Sequence, residues 1–191
     1  MNILNKDEFN TSKRKYLKLM KEVIFIYPTD TIYGLGCDAT NEVLVNKIRD
    51  LKGNSTHSFS IIAPSKQWVY DNCIVGEKEK ELVEQLGSYI KIKGNDHKFT
   101  LILKLKNKDA VAKNVSPGKE TIGVRIPNNW FSKIVNEFGK PIITTSANKT
   151  GSDFMTTLDD LHKDFKEEVS FVIYEGEKKG IPSTIINLSE Q

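Results

Sequence analysis

Val23-Ile24-Phe25-Ile26-Tyr27 runs straight into Pro28-Thr29-Asp30-Thr31-Ile32-Tyr33-Gly34-Leu35-Gly36-Cys37-Asp38-Ala39. The first five residues are apolar and β-prone without alternation, the pattern of a strand buried on both faces. Pro28 stops that strand, because proline has no N–H to give a ladder. The segment from Thr29 to Ala39 is hydroxyl-rich, with carboxylates and two glycines among its residues. Glycines let a backbone approach a ligand closely, and hydroxyls donate hydrogen bonds without charge. The alternative for this segment is a plain strand connection made of turn residues.

The same layout recurs downstream. Pro141-Ile142-Ile143 is an apolar strand start leading into Thr144-Thr145-Ser146-Ala147-Asn148-Lys149-Thr150-Gly151. Hydroxyls and an amide at a strand's carboxyl end suit an anion or nucleotide, or else a polar loop with a helix cap. Further strands are predicted at 59–63, 99–105, 121–126, 169–174 and 184–188. Helices are predicted over Asp7–Met20, from Asn41 through Leu51, over Glu77–Ile90, over Trp130–Phe138 closed by Gly139, and over Leu158–Phe165. Strands and helices intermix along the whole chain, so the expected fold class is α/β (α+β), a sheet with helices packed on it. No repeat and no long linker divides the 191 residues, and one domain spanning 1–191 is expected.

Two cations stand out. Arg125 ends the apolar strand Thr121-Ile122-Gly123-Val124-Arg125-Ile126, where a guanidinium can fork onto a carboxylate or phosphate or serve a structural ion pair. Lys52 closes the helix that begins after Asn41, where the helix dipole alone would also welcome it. The 28 basic and 25 acidic residues leave a net charge of +3, too little to imply nucleic-acid binding by itself. No apolar run approaches the ~20 residues a membrane-spanning helix needs. Cys37 and Cys73 lack metal-type spacing and read as buried thiols, and the N-terminus lacks a secretory h-region, so a cytoplasmic protein is expected. His57, His97 and His162 show no ligand spacing. No P-loop, GxGxxG, nucleophile elbow or Ser-His-Asp signature is present. These observations alone end at a hydroxyl-rich, cationic cleft for an anion.

Four segments in order extend the reading. PTDTIYGLGCDA, TIGVRIP, PIITTSANKTG and PSTIINL, between residues 28 and 188, resemble the motifs of the YrdC family. The resemblance implies a YrdC-like twisted mixed sheet flanked by helices, with a large concave cavity. It implies synthesis of threonylcarbamoyl-AMP from L-threonine, bicarbonate and ATP with Mg2+, releasing pyrophosphate, with no tightly bound protein metal site. It also implies a downstream tRNA threonylcarbamoyl transferase as partner and weak contact with tRNA. Carried over by position, Thr31, Arg125, Thr144 and Ser183 face threonine. Lys52, Asn54, Thr121, Ser146 and Asn148 face ATP, and Lys52 and Arg125 act in catalysis. Two departures stand against the pattern. Its Lys-x-Arg reads Lys52-Gly53-Asn54 here, and the chain ends at Gln191, before a further arginine that many relatives carry. They motivate the alternative, a YrdC-like RNA- or nucleotide-binding protein without synthase activity.

Overall fold

Asn5 opens the first helix by accepting from the backbone N–H groups of Asp7 and Glu8, while the Glu8 carboxylate takes the Asn5 N–H in return. In the computed structural model, which describes residues 1–53 and 56–188, a short strand β1 (Asn2–Leu4) precedes that helix, α1 (Lys6–Thr11), and α2 (Lys13–Leu19) follows it. The single helix expected over 7–20 is therefore broken at Ser12, whose ψ of 22° departs from helical geometry. Strands β2 (Ile24–Pro28) and β3 (Tyr33–Gly36) flank the first polar segment, and α3 (Glu42–Leu51) is capped by the Asn41 side chain. Next come β4 (Ser60–Ile62), α4 (Lys66–Asn72), β5 (Cys73–Ile74) and α5 (Glu77–Glu84). A small hairpin, β6 (Ile90–Ile92) and β7 (Asn95–His97), leads into β8 (Phe99–Leu105) and then β9 (Thr121–Arg125). Helix α6 (Phe131–Phe138), β10 (Ile142–Ser146), α7 (Lys163–Glu168), β11 (Val169–Ile173) and β12 (Thr184–Asn187) complete the chain.

The main sheet is mixed and runs β1-β11-β2-β3-β10-β4-β9-β8-β12, with β5 paired to β8. Residues two apart in a strand share a face, as do directly paired residues. In β2, Ile24 and Ile26 enter one core, with Leu44, Val45 and Ile48 of α3. Phe25 and Tyr27 enter the other, with Phe9 and Tyr16 of α1 and α2 and Phe131, Ile134 and Val135 of α6. Helices on both faces explain why β2 reads as an unbroken apolar run. Among the described residues no helix is long and apolar enough to cross a membrane.

The glycines of the first motif have a packing reason. A Cβ on Gly34 would lie 2.8 Å from the Tyr27 ring, and one on Gly36 would lie 2.7 Å from it. Tyr27, fully buried, donates to the Ile143 carbonyl at 3.0 Å across these glycines, and burial pushes its phenol well above the ordinary value. The glycines thus serve first to seat an aromatic ring, although Gly34 also lines a cleft on the polar side of the sheet.

Candidate active site

On the face carrying Phe25 and Tyr27, helices α1, α2 and α6 cover the β1 side of the sheet as far as Ile62 and Ile142. Along the same rows the residues then turn small and polar. Thr144 pairs with Ser60, and Ser60 with Gly123. These strands, with Thr100 of β8 and Ile185 of β12, floor a cleft of about 190 Å³, which Thr31, Ser183 and Phe154 also line. Gly123 keeps this floor low, since a Cβ there would meet Ser60 Oγ at 2.4 Å.

Arg125, only 7% exposed, lies at one end of the cleft. Its Nη2 donates to Asp30 Oδ1 at 2.6 Å and its Nη1 to Thr31 Oγ1 at 3.3 Å. Burial lowers the guanidinium pKa, and Asp30 offsets part of that shift. The guanidinium remains charged at any working pH. Asp30 Oδ2 accepts from the Asn128 backbone N–H at 2.9 Å and faces Lys98 Nζ at 3.2 Å. Thr29 Oγ1 sits 2.9 Å from Thr31 Oγ1 and donates to the Ile32 carbonyl, which holds the turn after β2.

The stretch from Glu175 to Ser183 straps this turn from outside. Tyr33 Oη donates to the Gly176 carbonyl at 2.6 Å and accepts from the Glu175 N–H at 2.9 Å. Lys178 Nζ donates to the Thr29 carbonyl at 3.2 Å. The strap ends at Ser183, whose Oγ is 2.8 Å from Thr100 Oγ1.

A second cationic group adjoins Ser146, a cleft residue. Lys52 Nζ donates to the Ser146 carbonyl at 2.9 Å and to Asn148 Oδ1 at 2.8 Å. Ser146 Oγ also donates to Asn148 Oδ1. Lys52 is 6% exposed, and desolvation lowers its pKa to about 8. Among the described residues no three His, Cys, Asp or Glu side chains gather as a metal site.

The structure therefore brings together Thr31, Arg125, Thr144 and Ser183, with Ser146 bridging to Lys52 and Asn148. Thr121 shares the Gly123 face but starts β9, four residues from Arg125 and opposite Lys104, outside the cleft lining. Asn54 lies outside the described residues. Two charged side chains of the Arg125 group carry little sequence signal. Asp30 is visible only as one polar residue of the first motif, and Lys98, at the foot of β8, has no local signal at all.

Residues 18–191 match the family model for Sua5/YciO/YrdC, described as "Telomere recombination". A relative in Methanocaldococcus jannaschii is 32% identical over 197 residues, covering 98% of this chain and 85% of that protein. The threonylcarbamoyl-AMP synthase of Buchnera aphidicola subsp. Schizaphis graminum is 28% identical, covering 97% of this chain and 95% of its own length. The crystal structure of P. abyssi Sua5 complexed with L-threonine shares the fold, with a TM-score of 0.82 at 24% identity. That alignment covers 98% of this chain, which spans about half (54%) of the Sua5 chain. With its motifs, its mixed sheet and this coverage, the chain belongs to the Sua5/YciO/YrdC family.

Proposed function

We propose that this chain is an enzyme that makes threonylcarbamoyl-AMP from L-threonine, bicarbonate and MgATP, releasing pyrophosphate. The observation that carries the reading is the convergence of Thr31, Arg125, Thr144 and Ser183 in one cleft bordered by Lys52, Ser146 and Asn148. Relatives covered over most of their length bear the synthase name, and a structure of the same fold is described with L-threonine. These support the synthase over an RNA- or nucleotide-binding protein without activity.

In this reading Arg125 takes the threonine carboxylate, and the hydroxyls of Thr31, Thr144 and Ser183 orient the amino acid. The threonine amine attacks CO2 derived from bicarbonate, loses a proton and becomes a carbamate. A carbamate oxygen then attacks the α-phosphorus of MgATP as the bond to pyrophosphate breaks. Lys52 faces the phosphates as a point charge, with Ser146 and Asn148 beside it on the nucleotide side. No protein nucleophile is required, because the substrate supplies one. The residues work by position and by fixed positive charge against several converging anions. One domain spanning residues 1–191 carries the reaction in the cytoplasm, and a tRNA threonylcarbamoyl transferase consumes the product, with tRNA contact weak at this stage.

The test is pyrophosphate release with mass analysis of the product. Release that requires both L-threonine and bicarbonate, with threonylcarbamoyl-AMP formed, is the expected result. Equal release without threonine removes the synthase reading.

A further inference from the structure

Arg125 does not meet a substrate as a lone cation, because Asp30 already holds it at 2.6 Å. A buried Arg–Asp pair is neutral as a unit, and its carboxylate repels an incoming carboxylate. A site built from that pair alone would be a poor receptor for an amino acid's acid group. The structure resolves this with a third charge. Lys98 Nζ stands 3.2 Å from the second oxygen of Asp30, and its side chain is only 10% exposed. The group Arg125–Asp30–Lys98 thus counts two cations against one anion.

Several contacts fix Lys98 in place. It follows the β6–β7 hairpin and leads directly into β8. Its carbonyl accepts from the Thr184 N–H at 2.8 Å, and the neighbouring His97 Nδ1 lies 3.1 Å from Thr184 Oγ1. Its ammonium sits 3.8 Å from the centre of the Tyr89 ring, an arrangement that stabilises a cation further. Lys178, the cation of the strap, is matched by Glu175 at 3.4 Å and adds no surplus of its own.

We infer that Lys98 is a positioning residue for carboxylate recognition: by sharing Asp30 it leaves the buried group with one uncompensated positive charge, so that Arg125 can bind the acid group of the substrate. The inference rests on the proposed function, in which that substrate is L-threonine. Lys98 acts through Asp30 and Arg125 and does not line the cleft.

The charge count gives the test. L-threonine affinity is measured by calorimetry for the wild type, Lys98→Arg, Lys98→Gln and the double variant Asp30→Asn/Lys98→Gln, with ATP affinity as control. Lys98→Gln takes the group to zero net charge and should weaken threonine binding by about tenfold to fiftyfold, as loss of one nearby charge in a shielded site predicts. Lys98→Arg should bind close to the wild type. Asp30→Asn/Lys98→Gln restores the surplus through Arg125 alone and should recover most of the affinity, with ATP binding unchanged throughout. A lysine that only held the fold would not be rescued by removing its partner. Wild-type affinity in Lys98→Gln overturns the inference, and so does a double variant no better than the single one. Should Lys98→Gln fail to fold, the double variant is compared with the wild type instead, and threonine affinity more than about tenfold below the wild type overturns the inference. A wild type that binds no threonine removes the proposed function, and the inference with it, whereas a threonine-binding wild type with an indifferent Lys98 removes the inference alone.

Discussion

Gly180 lies against Thr31 so closely that a Cβ on it would stand 1.9 Å from the Thr31 carbonyl oxygen and 2.6 Å from the carbonyl carbon. Two backbones meet there with no room for a methyl group, and backbone yields less readily than a side chain. The strap from Glu175 to Ser183 therefore sets the height of the Thr29–Tyr33 turn over the cleft, and Gly180 is the point of contact.

Gly180→Ala should push Thr31 or the strap out of place. Overpacking of this kind costs about 1–3 kcal/mol. Since Thr31 Oγ1 meets Arg125 at 3.3 Å, the expected kinetic effect is a raised KM for threonine with ATP affinity unchanged. Steady-state kinetics with each substrate varied in turn separates the two. An unchanged threonine KM would mean that the strap gives way without moving the turn.

Arg125→Ala tests both roles of that side chain. It removes the proposed carboxylate partner and leaves Asp30, 7% exposed at its side chain, with Lys98 and one backbone donor. Breaking a buried pair on one side costs about 3–5 kcal/mol, so a lower denaturation midpoint should accompany the raised KM. Arg125→Lys should restore part of the stability but less of the binding, because an ammonium cannot serve Asp30 and a substrate carboxylate in the same fork. Normal threonine kinetics in a folded Arg125→Ala would make the residue structural only.

Gly123→Ala probes the cleft floor. Its Cβ would meet Ser60 Oγ at 2.4 Å and Thr100 Cγ2 at 3.2 Å, both belonging to cleft residues. The variant should lose stability by about 1–3 kcal/mol through overpacking and should bind threonine less well. Pairing it with Ser60→Gly removes the blocking hydroxyl and should recover part of the Tm, a coupling that a thermal-melt double-mutant cycle measures. Strictly additive losses would show that the strain lies elsewhere.

The elements with strong periodicity are legible in the sequence. Strands β2, β8, β9 and β10 and helix α6 fall where apolar runs and stripes put them. Helix α5 is shorter than its pattern predicts, because Leu82, Val83, Leu86 and Ile90 keep helical spacing beyond its end. The helix stops at Glu84, Gly87 takes a left-handed φ of 90°, and Ile90 starts a strand. Leu158, Leu161 and Phe165 mislead in the same way. A 3-10 turn over Leu158–Asp160 stops at an extended Leu161, and α7 begins only at Lys163. Strands β1 and β5 are too short to carry a pattern, and α4 fully buries Val69 while Trp68 and Tyr70 pack half-buried against the core, which leaves no clean helical stripe. The site is legible as residue types, and Cys37 and Cys73 are the buried thiols their spacing suggests. Its charge balance is not, because Asp30 and Arg125 meet across 95 positions of sequence and only the sheet order brings them together.

Lys52 supplies a pH dependence whose sign follows from its surroundings. Desolvation lowers its pKa to about 8, below the ordinary lysine value, although two acceptors, the Ser146 carbonyl and Asn148 Oδ1, favour the ammonium. The free protein therefore carries this charge below about pH 8 and loses it above. Triphosphate binds the charged form, so ATP affinity should hold between about pH 6 and 7.5 and fall by up to about tenfold per unit above about 8, the limit for a one-proton linkage. Near that pKa, binding should also take up a proton, visible as a calorimetric enthalpy that changes with the ionisation heat of the buffer. Folding has the opposite trend. As pH rises from about 8 toward the ordinary lysine range, the unfolded chain holds a proton that the folded one has released, so this residue's contribution to stability grows with pH. Lys52→Arg should keep ATP affinity flat through about pH 9, because a guanidinium stays charged. Lys52→Met should bind ATP weakly at every pH and take up no proton. Proton uptake that persists in Lys52→Met would assign the titration to another group and remove Lys52 from the phosphate side of the site.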